Sequence, residues 1–156
     1  MKTFAKDLSD RLDAIVKSYP VKRAALMNVL HEVQAVEGWL SDETLLCVAD
    51  YMGLAPADVL GVVSFYSMYY RRPVGRHVIN VCRTLSCALR GAEQLLEHLR
   101  SQLQIDVGET TEDGRCTLGV MECLGSCGTA PVIEVHGEYR ENCTTRDIDE
   151  LLTKLK

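Results

Sequence analysis

The chain has 156 residues, 47% hydrophobic and 25% charged, a composition that excludes collagenous, mucin-like and wholly disordered proteins. A chain of this length buries roughly two-thirds of its unfolded surface, so it needs no disulfides to fold. The formal charge of −5 divides unevenly, with eight basic against nine acidic residues up to Pro73 and nine against thirteen beyond it. Neither part offers the basic surface that nucleic acid or an anionic bilayer requires, so nucleic-acid binding is not expected.

The opening residues MKTFAKDLSD carry charges throughout, unlike a secretory signal. No later run approaches the roughly 18 uncharged residues of a membrane span, so direct membrane insertion is not expected and the cytoplasm is the predicted compartment. A reducing thiol pool there disfavours disulfides, and seven cysteines at 47, 82, 87, 116, 123, 127 and 143 call for another explanation.

The first half of the chain reads as helices. One spans about Phe4 to Ser18. A second runs from about Val21 to Glu37, with Leu26, Val29, Leu30 and Val33 on one face and Gly38 closing it. Ser41, Asp42 and Glu43 set up the N-terminus of a third over Leu45 to Tyr51. Pro56 suits the first turn of a fourth, expected to bury Val59, Leu60, Val62 and Val63.

After Arg71-Arg72-Pro73 the pattern changes. His77 to Val81 is a short β-branched strand. Ala88, Ala92, Leu95, Leu96, Leu99 and Leu103 keep a helical period over about four turns. Short strands follow the Asp113-Gly114 turn, around Thr117 to Glu122, Val132 to Val135 and Glu138 to Arg140. A closing helix over Thr145 to Leu155 takes its start signal from Thr145 and Asp147. Strand, helix, strands, helix describes a thioredoxin-type α/β sandwich. The fold class is therefore α+β, with a helical bundle over 1–73 followed by a thioredoxin-like α/β domain over 74–156.

Two cysteine pairs stand out, Cys82-x4-Cys87 and Cys123-x3-Cys127, with 35 residues between them. Each pair lies in a loop leaving a strand, so both can share one edge of the sheet. Structural zinc usually takes tighter C-x2-C knuckles or mixed Cys/His sets, and remains second. Wider loops suit a binuclear [2Fe-2S] cluster, and the order is not that of a plant-type ferredoxin. Such an anionic group needs N–H donors, which the helix starting near Cys87 and the backbone at Gly125 and Gly128 can supply, with hydroxyls from Thr84, Ser86 and Ser126. Arg83 and Arg90 would raise the potential if they point inward, and Glu122 would lower it. Cys47 reads as a packed thiol and Cys143 as an incidental surface or half-buried one. Cys116 is an odd number of residues from Cys123 and so faces the other side of a regular strand. The four histidines, 31, 77, 98 and 136, read as surface or packed residues. No G-x-G-x-x-G follows a strand, so the chain is not expected to bind NADH, and no C-x-x-C offers dithiol chemistry.

These residues resemble the NuoE family, the small thioredoxin-like [2Fe-2S] subunit of NADH:quinone oxidoreductase (complex I). The likeness is carried by VCRTLSC with LRGAEQLLEHL, by GETTEDGR, by ECLGSCGTAPVIEV, and in the first half by Gln34, Gly38-Trp39-Leu40-Ser41 and GVVSFYSMYYRRPVGRHVINVC. It implies that Cys82, Cys87, Cys123 and Cys127 are the cluster ligands, and that Cys116 and Cys143 are extra thiols. It also implies a partner flavoprotein subunit (NuoF-like) that binds FMN and NADH, further iron-sulfur subunits, and a place at the cytoplasmic face of the inner membrane as part of the complex. The cluster would exchange single electrons with that FMN, storing them and controlling the flavin state. The helical half would clasp the flavoprotein, with Phe65, Tyr66, Tyr69 and Tyr70 either at that interface or in the core, and Trp39 open to the same two readings. The alternative is the homologous subunit of a soluble NAD-linked or electron-bifurcating hydrogenase or formate dehydrogenase.

Overall fold

A computed structural model describes residues 3–155, which divide between Pro73 and Val74 into two compact units.

The first unit holds four helices, α1 (Lys6–Lys17), α2 (Leu26–Glu37), α3 (Asp42–Met52) and α4 (Pro56–Phe65). Leu8 and Leu12 of α1 join Leu26, Val29, Leu30 and Val33 of α2, Leu45, Val48 and Met52 of α3, and Val59 and Val63 of α4 in one core. The expected Val21 to Glu37 helix is shorter, because Lys22–Ala25 form a 3-10 turn before α2 begins. Ser41 caps α3 as expected, its hydroxyl accepting from the Thr44 N–H at 3.1 Å. Leu60 departs from expectation and is exposed, because it lies about 100° around α4 from Val59 and about 60° from Val63, to one side of the buried stripe. The aromatic stretch splits. Phe65 is 80% exposed, whereas Tyr69 is buried and its hydroxyl donates to the Met27 carbonyl at 2.9 Å. Gln34 anchors the same segment, donating to the Met68 carbonyl and accepting from the Tyr70 N–H. Trp39 is half-buried.

The second unit is a four-stranded mixed sheet with helices. Its elements are β1 (His77–Cys82), α5 (Leu85–Leu89), α6 (Ala92–Leu103), β2 (Cys116–Met121), β3 (Ile133–Val135), β4 (Glu138–Arg140) and α7 (Thr145–Lys154). The strand order is β2-β1-β3-β4, with β1 and β2 parallel and the other pairings antiparallel. Alternation along β1 turns Ile79 and Val81 into a core with Leu118 of β2, Ile133 of β3, Leu95 and Leu99 of α6 and Ile148 of α7. Each fully buried leucine there contributes about 2 kcal/mol.

The second unit departs from expectation at two helix boundaries. The continuous helix from Ala88 is two helices, broken at Gly91, whose φ of +99° lies in the region that side-chain-bearing residues avoid. Periodicity alone cannot register that break, since apolar spacing continues across it. The closing helix is capped by Thr144 rather than Thr145, through a reciprocal box with Asp147. Thr144→Ala is expected to cost about 1 kcal/mol in urea unfolding. The box also makes stability depend on pH. The Thr144 hydroxyl and N–H donate to the Asp147 carboxylate at 2.6 and 2.8 Å and hold its pKa below the ordinary 3.8. A depressed folded value stabilises in full above 3.8 and is lost as pH falls through the lower folded value. Comparing unfolding midpoints of the unaltered and T144A proteins between neutral and acidic pH checks this, and T144A should flatten the acid limb.

Candidate metal centre

Because β1 and β2 run parallel with Cys82 opposite Met121, the chain leaves both strands at the same edge of the sheet. Cys82 closes β1, and Cys87 follows in α5. Cys123 stands two residues beyond β2, and Cys127 opens a 3-10 turn, Cys127–Thr129, that packs against α5. The two cysteine loops thus meet side by side. Cys82 and Cys87 are each 1% exposed, whereas Cys123 and Cys127 are exposed. Cys82, Cys87, Cys123 and Cys127 are free thiols.

Backbone donors surround the sulfurs. Burial pushes the Cys82 thiol up, but N–H groups of Thr84 and Leu124 and the Cys87 side chain hydrogen-bond its sulfur and hold it below the ordinary value. Cys87 is pushed up by burial, by its hydrogen bond to Cys82, and by the charges of Cys82 and Cys127, against a donated N–H from Val132. The Gly125 N–H donates to Cys123 Sγ at 3.3 Å, with Gly125 at φ +74°. Cys87 therefore senses both Cys82 and Cys127. Among the described residues no three His, Cys, Asp or Glu side chains form a group able to hold one metal ion. Four free thiols on two adjoining loops, with N–H groups aimed at sulfur, are a donor set that fits an anionic thiolate-ligated cluster.

Several expected contributors fall elsewhere. Cys87 lies in the five-residue α5, not at the start of the long helix, so the N-terminus of α6 is not what faces it. Ser126 does not turn to sulfur; it donates to the Glu141 carboxylate and shares a 2.7 Å hydrogen bond with Thr129 Oγ1. Those two hydroxyls hold the Glu141 carboxyl below its usual range. Gly128 has no positive φ. Arg83 and Glu122 are both exposed and lie 3.9 Å apart, so their charges offset one another. Cys116 is fully buried at the far end of β2, opposite His77. Cys143 is not a surface thiol; it is 4% exposed in the sheet core, and burial pushes its pKa to about 11. His77 and His136 meet, Nδ1 to Nε2 at 2.7 Å. The N–H groups of Leu124 and Val132 lie beyond sequence reading, since backbone donors to sulfur leave no mark on side-chain pattern.

A family profile described as thioredoxin-like [2Fe-2S] ferredoxin matches residues 12–156. The chain belongs to this ferredoxin family. Among relatives of this ferredoxin-type chain, "NADH-quinone oxidoreductase subunit 2" of Thermus thermophilus is 44% identical over 98% of the chain and 86% of the relative. An NADH-quinone oxidoreductase subunit of Mycobacterium tuberculosis is 36% identical over 99% of the chain, which spans 63% of that relative's length. "NADP-reducing hydrogenase subunit HndA" of Solidesulfovibrio fructosivorans is 36% identical over 89% of the chain and 81% of the relative. Among solved structures, an NAD+-reducing [NiFe]-hydrogenase in its air-oxidised state superposes with a TM-score of 0.72 at 25% identity. That match covers 83% of this chain and 22% of the hydrogenase chain. Among the described residues no helix is long and apolar enough to cross a membrane.

Proposed function

We propose that this chain is an electron-transfer subunit of an NADH:quinone oxidoreductase, holding one [2Fe-2S] cluster through Cys82, Cys87, Cys123 and Cys127. The observation that carries the reading is the pair of cysteine loops leaving parallel strands at one sheet edge, with Cys127 close enough to Cys87 to shift its titration. Two adjoining loops can present sulfurs in pairs, and a binuclear cluster takes two sulfurs on each iron. When bound, such a cluster supplies reversible one-electron transfer. The protein's part is to keep that charge change tolerable. Thr84, Leu124, Val132 and Gly125 turn N–H groups to sulfur, which stabilises extra negative charge without a full countercharge. Cys82 and Cys87 are withheld from water, while the loop carrying Cys123 and Cys127 leaves one edge open to a donor or acceptor.

The donor in this reading is the FMN of a partner flavoprotein subunit (NuoF-like) that also binds NADH, within a complex containing further iron-sulfur subunits at the cytoplasmic membrane face. The Thermus and mycobacterial relatives are named as NADH-quinone oxidoreductase subunits, which supports membership of such a complex. The likeness to HndA favours a second reading, the equivalent subunit of a soluble NAD-linked or electron-bifurcating hydrogenase or formate dehydrogenase. One experiment addresses both. The chain, purified anaerobically from its own cells and then separated from the subunits that copurify with it, should contain two iron and two acid-labile sulfide atoms, the composition of a [2Fe-2S] cluster. A copurifying flavoprotein with membrane subunits and quinone reduction supports the first reading, and a soluble hydrogenase or formate activity the second. Zinc without sulfide overturns both.

A further inference from the structure

Cys127 is exposed and sits on a three-residue turn with no buried side chain. The turn is closed at the Ser126 carbonyl, which accepts from the Thr129 N–H at 3.2 Å and from the Thr129 hydroxyl at 3.3 Å. Such a segment has little of its own to hold a sulfur in place, because rigidity in a loop comes from buried contacts or fixed polar ones. The polar contacts come from the residues that follow β4. The Glu141 carboxylate accepts from Ser126 Oγ, and Ser126 Oγ in turn pairs with Thr129 Oγ1 at 2.7 Å. The next residue, Asn142, donates its N–H to the Thr129 carbonyl at 2.6 Å. Side chain and backbone of consecutive residues therefore grip both ends of the turn that carries Cys127.

We infer that Glu141 is a positioning residue for Cys127: its carboxylate latches the 126–129 turn through Ser126 and Thr129, and its negative charge biases the adjoining centre toward the oxidised state. The inference rests on the ligand assignment proposed above. The latch acts through hydrogen bonds of ordinary strength, and the charge acts because reduction adds an electron to an already anionic centre.

The test compares the unaltered loaded protein with Glu141→Ala, Glu141→Gln and Ser126→Ala. E141A and S126A should lose the visible band to an iron chelator about fivefold faster, the loss of one hydrogen bond. E141Q keeps an accepting oxygen and should release within about twofold of the unaltered rate. A merely structural role would leave the potential unmoved. E141Q should instead raise the ratio of reduced to oxidised centre at fixed potential about threefold, or roughly 30 mV at 59 mV per decade for one electron. Circular dichroism establishes that each variant folds. An E141A release rate equal to the unaltered one overturns the latch, and an unmoved midpoint in E141Q overturns the bias toward the oxidised state; neither result touches the ligand assignment. Absence of iron and sulfide from the unaltered protein removes the ligand assignment and the latch with it.

Discussion

Cys87→Ala should abolish the visible absorbance of the purified protein and the electron paramagnetic resonance of its reduced form. Cys87 is 1% exposed, so neither water nor an added thiol can readily take the place of the missing sulfur, and one iron is left short of a ligand. Cys123→Ala should have the same outcome in the absence of added thiol. There, however, the position is open to solvent, and an excess of small thiol should restore part of the spectrum. Cys116→Ala and Cys47→Ala should leave the centre intact. Cys116 begins β2, about 16 Å back from Met121 at 3.3 Å per residue, and Cys47 is buried within α3 of the first unit. Retention of the full spectrum by either the Cys87 or the Cys123 variant refutes the assignment.

Gly75→Ala should destabilise the second unit by about 3 kcal/mol, at the upper end for an overpacked site. A Cβ on Gly75 would stand 2.9 Å from the Cys116 carbonyl carbon and 3.0 Å from main-chain atoms of Arg115 and Cys116. Those neighbours cannot give way as a flexible side chain would, because the ladder that starts with Arg76 N–H to the Gly114 carbonyl and His77 N–H to the Arg115 carbonyl fixes them. The Gly75 N–H also donates to Thr117 Oγ1 at 2.6 Å, so the backbone has no freedom to retreat. Gly61→Ala is the contrast. Gly61 lies inside α4 with open space where a Cβ would go, and alanine there should stabilise the first unit by about 1 kcal/mol. The two cores can be followed separately in urea. Trp39, the sole tryptophan, reports the first unit by fluorescence, and the cluster band reports the second. G75A should shift only the visible transition and G61A only the fluorescence transition; coincident shifts in both would show that the two cores unfold together.

The helices of the first unit are legible in the sequence because their signals are local. A Ser41 cap, a proline at the start of α4 and apolar residues three and four apart act within a few turns. The break at Gly91 is less so, since apolar period continues through it and the glycine is the lone clue. Cys143 reads wrongly as a surface or half-buried thiol because nothing near it in sequence announces that it joins Ile133 and Val135 of β3 and Ile148 and Leu151 of α7 in the core. The opposite case is Cys116. Its separation from the cysteine loops follows from strand alternation, although the decisive reason is that it lies at the other end of the strand.

The thiol inventory, the spacing of the two cysteine pairs and the change from helical to strand pattern near Pro73 are all properties of neighbouring residues, and the order of amino acids is enough to establish them. The parallel adjacency of β1 and β2 is not written there and arises when the chain folds in three dimensions. That pairing sends both cysteine loops off the same edge and brings in Leu124, Val132 and Glu141 from segments no local pattern connects. Strand partners and backbone donors are chosen by how the whole core closes, and contacts between residues far apart in the chain leave no signal in the spacing of either partner.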